Sequence, residues 1–151
     1  MKYRLRNKYS TNPDKALREI LQDRGVEDID NFMNPSAETC EINPFELKNV
    51  DEAAEMLLRH LRRNSKILFI VDADCDGFTS SSILWLYIKQ TFPEVELEFT
   101  VHEHTQHGLD DKVDWITDEA RWDLVIVPDA GSYDVEEHRA LGELGMDVLV
   151  L

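Results

Sequence analysis

The 151-residue chain sets 16 Lys+Arg against 31 Asp+Glu, a formal net charge of −15, and is 42% apolar and 31% charged. This balance excludes a basic module that grips nucleic-acid phosphates with Lys and Arg, and it excludes a polybasic membrane-surface protein. The excess is local, since residues 1–66 carry 12 basic and 12 acidic side chains while 67–151 carry 4 and 19, and it leaves room for an acidic site that reaches phosphates through bound cations.

The composition suits a soluble globular chain, and the length suits one domain, or one domain with a small appendage. No apolar run reaches the roughly 18 residues of a membrane span. Residues 1–8 are basic but no apolar core follows them, so they do not read as a secretory signal. Cys40 and Cys75 lie 35 positions apart with no C-x-x-C pair, which predicts free thiols in a reducing cytoplasm.

In chain order, residues 13–23 place Ala16, Leu17, Ile20 and Leu21 on one helical face, and Gly25 follows as a stop. Val26, Ile29, Phe32 and Met33 make a second short amphipathic piece that ends at Asn34-Pro35, and 36–44 reads as irregular. From Asn49 an apolar stripe (Val50, Ala53, Ala54, Leu57, Leu58, Leu61) predicts a helix with Arg59, Arg62 and Arg63 in its last turns, where cations suit the dipole. Asn64-Ser65 breaks it, so residues 1–64 read as a helical lead-in and 65–151 as a separate α/β part.

Ile67-Leu68-Phe69-Ile70-Val71 is an unbroken β-favouring run, as in a strand buried on both faces of a parallel sheet. A helix is expected from about Thr79 to Thr91. Val95, Leu97, Phe99 and Val101 then alternate with Glu94, Glu96 and Glu98, predicting a strand with one wet face near an edge. A weaker helix over 110–120 precedes the buried run Leu124-Val125-Ile126-Val127. Asp134-x-x-Glu137 can cap a helix to Leu144, and 146–151 begins a fourth strand. The alternation predicts a doubly wound parallel sheet, still incomplete at Leu151, preceded by the helical segment.

Chemistry concentrates beyond the strands. Asp72-Ala73-Asp74-Cys75-Asp76-Gly77 follows the first buried run, and three carboxylates there repel one another unless a divalent cation joins them. Hard oxygen ligands suit Mg²⁺ or Mn²⁺. A calcium loop fails, because its twelfth position is Ile83 and a strand precedes it. Asp129, after the third run, faces this cluster if the two strands are neighbours. The N–H groups and hydroxyls of 77–82 can receive a phosphate, or Thr79 or Ser80 can simply cap the helix. His102, His104 and His107 suit metal, phosphate or surface roles. Trp85, Trp115 and Trp122 read as core aromatics, and His60 and His138 as solvent-facing.

These pieces resemble the DHH phosphoesterase superfamily, and more closely its RecJ-type single-stranded-DNA exonucleases. Residues 72–80 are similar to the family's Asp-rich first motif, and Val127-Pro128-Asp129-Ala130-Gly131 to its second. His107-Gly108-Leu109 resembles the Gly-Leu segment after the second strand, with His where an aromatic is usual. Arg24-Gly25-Val26 leading to Phe32-Met33-Asn34-Pro35 resembles the N-terminal lead-in. The resemblance implies a metal-dependent phosphodiesterase working 5′ to 3′ on single-stranded DNA with two Mn²⁺ or Mg²⁺ ions. It implies Asp74, Asp76 and Asp129 as catalytic metal ligands, and Asp72 as a further ligand or a supporting carboxylate. Thr79, Ser80 and His107 would meet the substrate phosphate. The basic DNA groove has candidates here only at Lys2, Arg4, Arg6 and Lys8 and at Arg59, Arg62, Arg63 and Lys66. The Asp-His-His motif that names the superfamily is expected after Val148-Leu149-Val150-Leu151. The chain therefore reads as the N-terminal part of such an enzyme, inactive without a C-terminal part.

Two other readings stand beside this one. A haloacid-dehalogenase-like phosphatase would use Asp72 as a covalent nucleophile, but it usually has Thr or Val where Asp76 stands. A non-catalytic fragment would bind metal or a partner chain through its open sheet edge.

Overall fold

The computed structural model describes residues 8–103, 107–119 and 121–151. Lys2, Arg4, Arg6 and His104 lie outside them. The chain forms two compact units, Met1–Leu47 and Lys48–Leu151.

In the first unit, α1 (Pro13–Asp23) starts where the Asn12 side chain accepts from the Lys15 N–H, with Pro13 at the first helical position. α2 (Ile29–Met33) is capped in the same way by Asp28. The stretch expected to be irregular contains a one-turn helix, α3 (Ala37–Cys40), and a 3₁₀ turn at Pro44–Glu46. The Thr39 hydroxyl oxygen accepts from the Ser36 N–H at 3.1 Å, a local bond that hydrophobic periodicity does not signal.

The second unit runs α4 (Val50–Arg62), β1 (Ile67–Val71), α5 (Cys75–Thr91), β2 (Leu97–Val101), α6 (Val113–Glu119), β3 (Leu124–Val127), α7 (Val135–Glu143) and β4 (Asp147–Val150). All four strands are parallel, in the order β2-β1-β3-β4. Alternate strand residues serve two cores. Ile67, Phe69, Val71, Leu124, Ile126 and Leu149 pack with Leu61 of α4 and Ile88 of α5. Leu68, Ile70, Val125 and Val127 pack with Ile116 of α6 and Leu141 of α7. Helices therefore cover both faces of the sheet. Every residue of β1 and β3 is buried, whereas β2 is an edge strand as expected but lacks the expected dry face, since Phe99 is 63% exposed while Glu98 is half-buried.

The unit boundary falls ahead of α4 rather than at residues 64/65, because Ala53, Met56, Leu57 and Leu61 spend the α4 stripe on the sheet. His60, expected in solvent, is buried. Its Nδ1 lies 3.0 Å from Ser65 Oγ and its Nε2 lies 2.9 Å from Asp147 Oδ2, which ties the end of α4 to the start of β4. His138 is half-buried against the same expectation. Among the described residues, no helix is long and apolar enough to cross a membrane.

Candidate metal centre

The end of β1 is shaped by its own carboxylates. Asp72 is buried, and its Oδ1 accepts from the Ala73 N–H at 2.8 Å. Asp74 is extended, and its Oδ1 accepts from the Gly77 N–H at 2.9 Å. That cap starts α5 at Cys75, ahead of the expected Thr79, because Asp74 satisfies the orphan donors first. Thr79 Oγ1 donates to the Cys75 carbonyl at 2.8 Å and Ser80 Oγ to the Asp76 carbonyl at 2.7 Å, so both hydroxyls bond back within the helix. Gly77 packs so closely that a Cβ there would lie 2.6 Å from the Asp72 carbonyl oxygen. Only glycine lets the first turn of α5 sit this low over β1.

β3 is hydrogen-bonded to β1, so the loops after the two strands share one crevice. β1 leads through α5 to β2 on one side, and β3 lies on the other side of β1. This is the switch point at which open α/β sheets build sites. Asp129 stands there in the left-handed region (φ 66), with its N–H donated to the Leu151 carbonyl at 2.8 Å. One carboxylate oxygen from each of Asp74, Asp76 and Asp129 falls within 4.8 Å of the others, and all three residues are exposed. Partial withdrawal from water raises the Asp129 pKa above its ordinary value, and the charges of Asp76, Asp74 and Asp72 raise it further. Three hard, mutually repelling oxygen donors open to solvent fit a Mg²⁺- or Mn²⁺-sized ion.

Asp72 stands apart from that trio. Its Oδ2 accepts from His107 Nδ1 at 2.8 Å, and the His107 side chain is 63% exposed. That hydrogen bond, followed by the charge of Asp72, raises the His107 pKa. His102 is buried at the end of β2, with its Nδ1 3.2 Å from Asp111, and is not one of the trio.

The structure does not bring the arginines of α4 to this crevice. Arg59 pairs with Asp147 at 2.6 Å, by the N-terminal ends of the strands, and Arg62 and Arg63 lie at the same end of α4. Asp134 also departs from expectation. It precedes α7 but makes no side-chain cap bond, and its carboxylate goes instead to the Leu109 N–H.

No family model matches the chain. It is 40% identical over 153 residues to YorK of Bacillus subtilis (strain 168), whose name designates an SPbeta prophage-derived single-strand DNA-specific exonuclease. That match covers all of this chain and 25% of the relative. The single-stranded-DNA-specific exonuclease RecJ of the same organism is 28% identical over 108 residues, covering 72% of this chain and 14% of RecJ. The chain is similar to part of the RecJ-type exonucleases in sequence and in fold. A crystal structure of RecJ from Thermus thermophilus in complex with Mn²⁺ shares the fold, with a TM-score of 0.59 and 24% identity over 86% of this chain and 17% of that one. A manganese-bound exonuclease RecJ structure gives a TM-score of 0.61 and 26% identity over 73% of this chain and 28% of that one. The chain thus spans a quarter of the length of its YorK relative.

Proposed function

We propose that this chain forms part of a metal-dependent phosphodiesterase that removes nucleotides 5′ to 3′ from single-stranded DNA. The observation that carries the reading is the Asp74–Asp76–Asp129 trio at the β1/β3 crevice of a chain similar to part of the RecJ-type exonucleases. Asp74 and Asp76 offer oxygens to the cation from the first turn of α5, and Asp129 offers one from the β3 side. Mn²⁺ or Mg²⁺ bound there, as a pair in the complete enzyme, supplies an activated water and neutralises charge on the phosphate. Asp72 fixes one ring nitrogen of His107, and the exposed remainder of the ring is free to donate to a phosphate oxygen. Thr79 and Ser80 border the scissile phosphate from the next turn of α5.

Because the matched relative extends well beyond this segment, turnover belongs to the chain joined to further polypeptide. The phosphatase alternative is disfavoured by burial. Asp72, its nucleophile, is 4% exposed and has both oxygens engaged.

The test uses this chain alone and joined to the portion of YorK that it does not match. A 5′-labelled single-stranded oligonucleotide is incubated with each protein and Mn²⁺. Mononucleotide release is expected from the joined protein, and Asp74→Ala or Asp76→Ala should lower it by at least about 100-fold. Full activity in both variants would overturn the metal-site assignment, and a trapped aspartyl-phosphate on Asp72 would favour the phosphatase.

A further inference from the structure

The turn that carries His107 meets Asp134, a residue of the β3–α7 loop placed to cap the helix that follows it. Asp134 stands where an N-cap Asp normally accepts from the first turn of its own helix. Its Oδ2 instead accepts from the Leu109 N–H at 2.6 Å, and α7 goes without that side-chain cap. Leu109 is fully buried with Leu68, Ile70, Val127 and Leu141, so this contact is anchored in the core. Gly108, between Leu109 and His107, has φ 74, and a Cβ there would collide with Asp134 Oδ2. A glycine in this conformation and a carboxylate in this place are therefore matched. On the other side of Gly108, His107 meets Asp72 at 2.8 Å. One continuous path thus runs from the β3–α7 loop through Leu109, Gly108 and His107 to the carboxylate that ends β1.

We propose that Asp134 is a positioning residue: it fixes the 107–109 turn so that His107 is seated against Asp72 beside the carboxylate trio. Its bearing on turnover rests on the phosphodiesterase reading, in which His107 meets the substrate phosphate.

Two substitutions separate positioning from helix capping. Asp134→Ser can cap α7 but is too short to reach Leu109, whereas Asp134→Asn keeps an acceptor of the right length. In this chain, NMR follows exchange of the Leu109 amide and the proximity of the His107 ring to Asp72. In the joined protein, kcat and KM are measured on a single-stranded oligonucleotide with Mn²⁺. Asp134→Ser is expected to speed Leu109 exchange about tenfold or more and to detach His107 from Asp72. It should also lower kcat about tenfold with KM within about twofold, and Asp134→Asn should restore most of both. A wild-type Leu109 amide and an intact His107–Asp72 contact in Asp134→Ser would overturn the proposal, as would a detached His107 with unchanged kcat. If the joined wild-type protein has no nuclease activity, the phosphodiesterase reading fails, and the NMR measurements still decide whether Asp134 seats His107.

Discussion

At Asp129 the backbone sits at φ 66, in a region that Asp and Asn tolerate better than bulkier side chains. The conformation places a carboxylate beside two others, and withdrawal from water, followed by the charges of Asp76, Asp74 and Asp72, raises its pKa. A carboxyl pKa raised above the ordinary 3.8 means that the folded state holds the proton more tightly than the unfolded one. The contribution of Asp129 is therefore most favourable below pH 3.8 and is lost as pH rises through the folded value. Asp129→Asn keeps the backbone geometry and removes the charge. In metal-free buffer at pH 7 it should unfold at a higher temperature than the wild type, and the difference should shrink toward about pH 3. In the joined protein the same variant should lose about 100-fold or more of its Mn²⁺-dependent activity. Thermal melts across pH and an oligonucleotide assay check the two halves. A carboxylate at 129 was legible as chemistry in the sequence, because a lone Asp follows a buried run. Its distance to Asp74 and Asp76 was not, since that depends on β3 pairing with β1.

The elements were largely legible where a single periodic pattern dominates, as in β1, β3 and the α4 stripe. They were misread where side chains compete for backbone donors. Asp74 starts α5 early, and Asp134 leaves α7 uncapped to hold another loop. His60 shows the same limit. It lies at the margin of the apolar stripe, three residues after Leu57 and seven after Ala53, and Asp147 and Ser65 give its ring nitrogens the partners that allow burial. The α4–β4 clip has its own pH signature. The hydrogen bond from His60, aided by Arg59, holds the Asp147 pKa below the ordinary 3.8 despite partial burial. Its stabilisation is present above pH 3.8 and is lost as pH falls through the lower folded value. Because the Asp147 side chain is 42% exposed, solvent screening limits the clip to about 0.5–1 kcal/mol. Asp147→Asn should lower the melting temperature at pH 7, and the two proteins should converge on acidification below pH 3.8.

For the whole molecule, the −15 charge and the carboxylate trio predict two different cation effects. Monovalent salt screens the general self-repulsion and should raise the melting temperature gradually, in wild type and Asp74→Ala alike. A divalent ion bound at the trio acts by mass action. At about 100 times its dissociation constant, Mn²⁺ should add about 2.7 kcal/mol, or about 5–10 °C, in wild type. Asp74→Ala should lose that increment and keep the salt response. Equal Mn²⁺ shifts in both proteins would show that the ion acts only as a screening charge. Differential scanning calorimetry over both titrations separates the cases.

Sequence alone determined the strand and helix alternation, the acidic bias after residue 66 and the two Asp-bearing strand ends, because each is a property of adjacent residues. Tertiary structure decided which of the carboxylates meet. Parallel pairing of β1 with β3 brings Asp129 to Asp74 and Asp76, while Asp72, against which Gly77 packs, meets His107 instead. It also decided that the arginines of α4 lie by the N-terminal ends of the strands, since α4 runs down one face of the sheet and ends beside Asp147. Contacts such as Asp134 to Leu109 join residues 25 positions apart, so they exist only after the sheet has folded.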